Sequence, residues 1–446
     1  MPNQPSELRA KIQDLVPKLR QSSFLKNILI IMSGSVLAQI IAYALSPIIS
    51  RLFTPEDFGI FGSFTAVAGI VCSIITLDYS QALMLPKEKA EAINLFCLSI
   101  ISTIFISLFV SIFSIIKPSG FYNLTKTQGA CPLILFILTM IITGINYSTQ
   151  AWAVRSKAFK QTSASQVIRS VTSSGSRIIF GAFKVGSLGL IISNIIANLG
   201  ASLNLIRVTI PDLISHKPEI NIKKIKSAAK EYIDFPLYSA SQNFINAISS
   251  GLPVLLLTKF YGLAAAGAYA FAESMLQAPM GLVLTALRQV LFQKACEYKN
   301  EGKGIFLLYM RTVLVLLGMA LIPSFILLLW APQIFAFIFG AKWRMAGVLA
   351  RSLVIWLTIV FCNLPAVIFA RIIRIQRFVF FYDLILLFAR TATLVLGGMY
   401  LKVTQTVMVF AVVGAIMNAF LIYFVGKEVA RKEQVIDLLS LKSLLP

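Results

Sequence analysis

The sequence predicts an all-α polytopic membrane protein, with about twelve transmembrane helices in two six-helix bundles around a central cavity. Three observations carry that expectation. Hydrophobic residues make up 57% of the chain and charged ones only 13%, about half the charged share of a soluble domain. Twelve stretches are mostly apolar over the roughly 20 residues that cross a bilayer. Lys and Arg gather in every second connecting segment, the pattern of loops sorted by side of the membrane.

The chain opens on a basic stretch, residues 1–27. Leu8, Ile12, Leu15, Val16 and Leu19 recur at helical spacing beside Arg9, Lys11, Lys18 and Arg20. That pattern suits an amphipathic helix on the inner leaflet, or else a basic tail. A cleavable signal is not expected, because no small-residue cleavage site follows in a suitable place. Spans are expected near 28–52, 59–84, 92–116, 130–152, 163–182 and 186–209, then near 233–257, 263–292, 305–329, 346–370, 376–399 and 403–426. The fifth and seventh are the most polar, so a hydropathy window is apt to miss either. A basic linker, 211–232, lies between the halves, and a tail follows at 428–446.

Placing the N-terminus in the cytoplasm puts 25 Lys and Arg in inside segments and 8 in outside ones. The ratio supports cytoplasmic N- and C-termini. It also accounts for most of the net charge of +22 without nucleic acid.

A weak repeat relates the halves, 28–210 and 233–427. Ser33, Ser35 and Pro47 align with Ser239, Ser241 and Pro253. After a two-residue insertion, Gly59-Ile60-Phe61 aligns with Gly267-Ala268-Tyr269 and Gln81 with Gln289. Both halves begin on the same side, so they are parallel repeats about an axis along the membrane normal. That geometry suits two bundles rocking around a fixed site.

Taken in order, the spans reveal where polar faces must hide. The first carries Gln39, Tyr43, Ser46 and Ser50 as a stripe, and the second contains Asp78. The fifth holds Arg169, Ser173 and Arg177 at i, i+4 and i+8, which places all three on one face. The seventh repeats a stripe with Gln242, Asn246 and Ser249. The eighth has Glu273, Gln277 and Arg288; the tenth Arg351; the eleventh Asp383 and Arg390. Arg207 and Arg311 sit close enough to span ends to snorkel. An arginine at bilayer depth costs at least about 2.5–3.5 kcal/mol unless it faces a bundle interior or an aqueous cavity. Arg169, Arg177, Arg288, Arg351 and Arg390 are therefore the candidate cavity cations, and Asp78, Glu273 and Asp383 the candidate coupling or ion-pair acids. Gln39, Ser46, Gln242, Asn246 and Gln277 are candidate polar lining, though such stripes also serve as packing glue. Five cations against three anions leave a positive interior, which implies an anionic, polar cargo. Arginine's planar fork suits phosphate, and several arginines suit a pyrophosphate.

No cysteine sits in a metal-binding spacing. The single histidine, His216, lies in a charged loop. No phosphate-binding loop or nucleophile triad is found, so no enzyme, cofactor or metal is expected.

The stretch SRLFTPEDFGIFGSF (50–64) resembles the first outer loop and second-span entry of Wzx-type O-antigen and oligosaccharide flippases. These belong to the polysaccharide transporter family of the multidrug/oligosaccharidyl-lipid/polysaccharide (MOP) exporter superfamily. QAWAVRSKAFK (150–160) is similar to that family's fourth-span exit, and FGAKWRMAG (339–347) to the stretch before its tenth span. The resemblance implies translocation of an undecaprenyl-pyrophosphate-linked oligosaccharide across a bacterial inner membrane by alternating access. It also implies H+ or Na+ as a coupling ion, and an O-antigen polymerase and chain-length regulator as partners. Two other readings stay open: an ion-coupled drug or metabolite antiporter of the same superfamily, and a non-transporting scaffold of a polysaccharide assembly complex.

Overall fold

The computed structural model describes residues 23–215, 220–300 and 304–442. All its regular elements are helical, with no strand among the described residues. The expectation for residues 1–22 lies outside them. The first six spans are α1 (Ser23–Leu52), then α2 (Pro55–Cys72) with the short α3 (Tyr79–Ala82), α4 (Lys89–Ile116), α6 (Ala130–Arg155), α7 (Phe159–Ala182) and α8 (Ser187–Ser215); α5 (Pro118–Thr125) lies between the third and fourth. Within the expected linker, α9 (Ile222–Glu231) buries Ile225 and Ala228 against α4 and leaves its lysines exposed. A π-helical turn, Phe235–Ala240, leads into α10 (Ser241–Tyr261). The remaining spans are α11 (Leu263–Asn300), α12 (Phe306–Phe339), α13 (Arg344–Cys362) with α14 (Leu364–Ile372), α15 (Gln376–Tyr400) and α16 (Val403–Lys442).

Ten of these runs are long and apolar enough to cross a membrane by length and composition. The seventh span is among them. The fifth, α7, is not, because serines, threonines and arginines dilute it. Several of those hydroxyls return their hydrogen to the helix itself, as Thr172 does to the Ile168 carbonyl at 2.6 Å. The second span also falls short, for a reason the sequence hid. Its main helix opens on Glu56 and Asp57 and stops at Cys72. The chain then turns through Leu77 and Asp78, both left-handed at φ 48° and 60°, a conformation uncommon outside glycine. The tenth span breaks similarly at Asn363, ahead of Pro365, where Asn363 Nδ2 donates to Asn418 Oδ1 of α16 at 2.8 Å.

The packing of the first six spans recurs in the last six. The first span packs on the fifth, the fifth on the sixth, the fourth on the sixth and the third on the fourth; adding six to each number gives the contacts of the second half. The second span joins the halves by packing on the seventh and eighth. That seam is tight because it is built on glycine. A Cβ at Gly59 would sit 2.1 Å from the Leu263 carbonyl oxygen, and one at Gly267 would sit 1.8 Å from that of Pro55. Positions 55 and 263, like 59 and 267, are partners in the sequence repeat, so the contact is reciprocal about the axis.

The end of the molecule at which the chain enters the first span is called the near end; the far end is the other. Two stretches singled out by resemblance meet at the far end. Thr54 caps α2, with its hydroxyl accepting from the Asp57 amide and Asp57 accepting from the Thr54 amide, and Pro55 follows in the first turn. Phe58 then projects onto Trp343, ring centroids 5.1 Å apart, and onto Phe271 at 5.3 Å. Trp343 is fully buried and donates to the Ser50 carbonyl at 2.8 Å; Ser50 donates to the Phe339 carbonyl at 3.1 Å. This aromatic plug closes the far end between the halves.

Candidate functional site

Two cavities lie beneath the plug, one on each seam between the halves. The first, of about 860 Å³, lies among α1, α2, α7, α8 and α11. The second, of about 500 Å³, lies among α2, α10, α11, α13 and α15. Replacing the first, second and fifth spans by the seventh, eighth and eleventh converts one site into the other. Gly62, Thr65, Ala270 and Ser274 line both, so small side chains form the wall between them.

Arg169 and Arg177 both line the first cavity. Arg169 is fixed by Nη2 donating to Asn198 Oδ1 of α8. Arg177 lies 5.3 Å from the centre of the Phe61 ring, and its buried Nε has no acceptor. Gln39, Tyr43 and Ser46 of the adjoining α1 also line it, with the Tyr43 hydroxyl donating to the Met275 carbonyl at 2.8 Å. Ser35 donates to Gln166 Oε1 between α1 and α7. No Asp or Glu is among the described residues lining this cavity. Two guanidiniums therefore share a chamber with no carboxylate among its described lining residues to offset them.

The second cavity holds Glu273, Gln277 and Arg390. Gln277 Nε2 donates to Glu273 Oε1 at 3.0 Å. The Arg390 guanidinium sits in a notch between Trp356 and Phe410, its carbon 4.1 and 4.2 Å from the two ring centres. Those rings stabilise the cation where water is scarce. One acid and one base leave this chamber close to neutral.

The other candidates fall elsewhere. Arg288 is exposed on α11, outside both cavities. Arg351 donates from Nη2 to the Leu329 carbonyl at 3.0 Å, in the contact between α12 and α13. Asp78 accepts from Asn243 Nδ2 at 3.1 Å, joining the second and seventh spans at the near end. Asp383 is half-buried on α15 and lines neither chamber. Gln242 and Asn246 are exposed on α10, whereas Ser249, on the same stripe, lines the second cavity. Sequence reasoning missed Gln166 and Asn194 in the first cavity and Trp356 in the second. Gln166, Arg169, Ser173 and Arg177 share one helical face, and that spacing was available to find Gln166.

This arrangement, twelve spans in two pseudo-equivalent bundles with chambers between them, is the fold of MOP superfamily transporters. The chain superposes with a TM-score of 0.68 on an inward-facing multidrug resistance MATE family transporter of that superfamily, at 14% identity over 90% of this chain and 96% of that one. It superposes with 0.65 on the lipid II flippase MurJ in an inward closed conformation, at 13% identity over 92% of each. For an outward-facing MATE family transporter the score is 0.56, at 12% identity over 92% of this chain and 96% of that one. Within that fold the chain belongs to the family described as Polysaccharide biosynthesis protein, which matches residues 48–347. A comparison with curated proteins gives no match.

Proposed function

We propose that the protein flips an undecaprenyl-pyrophosphate-linked oligosaccharide, an O-antigen or related repeat unit, from the cytoplasmic to the periplasmic leaflet of a bacterial inner membrane. The observation that carries this reading is the first cavity, which Arg169 and Arg177 line with no acid among its described residues. Two planar donors suit the two phosphates of a pyrophosphate. A chamber for lipophilic cations would need the opposite charge. Membership of a polysaccharide biosynthesis family agrees with a sugar-bearing cargo.

With the near end in the cytoplasm, as the 25 to 8 distribution of Lys and Arg indicates, the plug closes the periplasmic side. The better superposition on the inward-facing relative agrees with that state. The lining of the first cavity runs from Ile49 and Phe58 near the plug to Ser35 and Ala286 near the entry end. A headgroup would enter there, its lipid tail passing between the near ends of the first and eighth spans. Asp78, Glu273 and Asp383 are the candidates for coupling to H+ or Na+, and a polymerase and chain-length regulator are the expected partners.

The test is export of surface polysaccharide by cells that depend on this protein. Arg169→Ala should abolish it at normal protein level. Arg169→Lys should restore part, since charge returns without the fork. Normal surface polysaccharide from a chain with Ala at both Arg169 and Arg177 would refute the assignment.

A further inference from the structure

The second cavity has a chemistry unlike a phosphate site. It presents donors and acceptors in near balance: the Arg390 fork, the Gln277 amide, the Glu273 carboxylate and the hydroxyls of Ser249 and Ser274. One of the donors lacks an acceptor: Arg390 Nε is buried with no hydrogen-bond partner. A buried donor left unpaired costs about 1–3 kcal/mol, so such groups are normally matched by water or ligand. The rings of Trp356 and Phe410 cover the broad face of the Arg390 guanidinium. Its edge is then the part free to hydrogen-bond. In-plane donors beside a carboxylate and an amide match vicinal hydroxyls and acetamido carbonyls, groups that both donate and accept. A phosphate, which only accepts, would meet repulsion from Glu273.

Position adds a second argument. The wall shared with the first cavity consists of Gly62, Thr65, Ala270 and Ser274. The side chains shared by the two cavities are all small. A headgroup with its phosphates on the arginines has its sugars next to the second cavity.

We infer that the second cavity is a sugar subsite: Glu273, Gln277 and Arg390 bind uncharged, polyhydroxylated rings of the cargo while the first cavity holds its pyrophosphate. This rests on the flippase reading above and divides the cargo between the two halves. Glu273 accepts from a ring hydroxyl, Gln277 orients that carboxylate, and the Arg390 N–H groups donate to sugar oxygens.

The experiment measures binding of two probes to the full-length protein in nanodiscs: bare undecaprenyl pyrophosphate, and the lipid-linked repeat unit extracted from producing cells. Glu273→Gln keeps the shape and removes an anionic acceptor, and Gln277→Leu removes its orienting partner. Each should weaken binding of the sugar-bearing probe by about tenfold or more, the scale of one charge-assisted hydrogen bond. Each should leave the bare pyrophosphate within about twofold, and thermal unfolding monitors folding in both. Arg169→Ala should weaken both probes alike. Equal loss on both probes in Glu273→Gln would overturn the subsite, as would unchanged affinity for the sugar-bearing probe. Unchanged affinity with transport lost would assign Glu273 to ion coupling instead. If Arg169→Ala leaves bare pyrophosphate binding intact, the flippase reading itself fails, and that outcome is distinct from failure of the sugar subsite.

Discussion

The two cavities occupy equivalent places in the two halves and differ chiefly in charge. The reciprocal glycine contacts fix an offset of 208 between the second and eighth spans, pairing Gly59 with Gly267. By that offset Gly62 pairs with Ala270, and both line the shared wall. Thr65 pairs with Glu273, so the first cavity has a hydroxyl where the second has a carboxylate. In the fifth and eleventh spans, Gly181 abuts Leu52 and Phe53 of the first span, and Gly398 abuts Phe260 of the seventh. Counting eight residues back from each glycine pairs Ser173 with Arg390. The arginines of the first cavity flank the very position that carries the arginine of the second. A repeat can thus keep one backbone frame while its two chambers part company in charge. One becomes a cation pair and the other a balanced cluster.

The seams differ as well. At the near end, Asp78 and Asn243 hold the second and seventh spans together. Their counterparts across the axis are Ala286 and Leu37, by the offsets of 208 and 206 that the glycines and the Pro47–Pro253 pair set. Ala286 lines the first cavity and Leu37 is exposed. At the near end only the first of these seams is fastened; the other is tied farther in, by Tyr43 to the Met275 carbonyl. The largest expected effect comes from fastening the second. A disulfide between cysteines at Leu37 and Ala286 should abolish export and reduction should restore it. Full export with the Leu37–Ala286 pair oxidised would show that cargo enters by another route.

Charge exchange between the repeats comes next. Thr65→Glu gives the first cavity the acid of the second. A carboxylate about 5 Å from a guanidinium at an effective dielectric of about 20 is worth about 3 kcal/mol, or roughly a hundredfold in affinity. The substitution should cut export and undecaprenyl pyrophosphate binding on that scale. Thr65→Gln, similar in size and uncharged, should cost far less, and equal losses would mean that volume rather than charge matters. Stability should separate the halves too. Trp356 is buried and packs against Arg390, Phe410 and the backbone at Gly414, so Trp356→Leu should cost about 3 kcal/mol in thermal or denaturant unfolding. Phe61 is half-buried and meets Arg177 at 5.3 Å; Phe61→Leu should cost about 1 kcal/mol. Equal costs would argue that the second chamber is no better packed than the first.

Much of the frame was legible in the sequence because a bilayer imposes it. Span length and loop charge follow from the thickness of the hydrocarbon and the sorting of Lys and Arg, and both are local properties. The Arg169–Ser173–Arg177 face followed from helical spacing alone, and the cavity does lie against it. What a sequence cannot order is depth and azimuth between helices. Arg351 and Arg169 look alike as arginines in apolar runs, yet one ends on a backbone carbonyl in a helix contact and the other lines a chamber. Asp78 looked like an intramembrane acid until the chain proved to turn there. Trp356 gave no sign of its place beside Arg390, since that contact joins residues on two different spans.

The smallest expected effects sharpen the comparison from the other side. Arg288 is exposed outside both chambers, and Arg351 donates to the Leu329 carbonyl. Arg288→Ala should change export and cargo binding by less than about twofold, the range of a surface charge. Arg351→Ala should lower stability by about 1 kcal/mol through the lost bond to Leu329 and leave binding of undecaprenyl pyrophosphate unchanged. Charge at bilayer depth would otherwise explain function wherever it occurs, and a uniform loss across all five arginines would support that simpler rule. A clean division, with Arg169 and Arg177 indispensable and Arg288 and Arg351 dispensable, would tie recognition to the chamber between the first and eighth spans rather than to the positive interior as a whole.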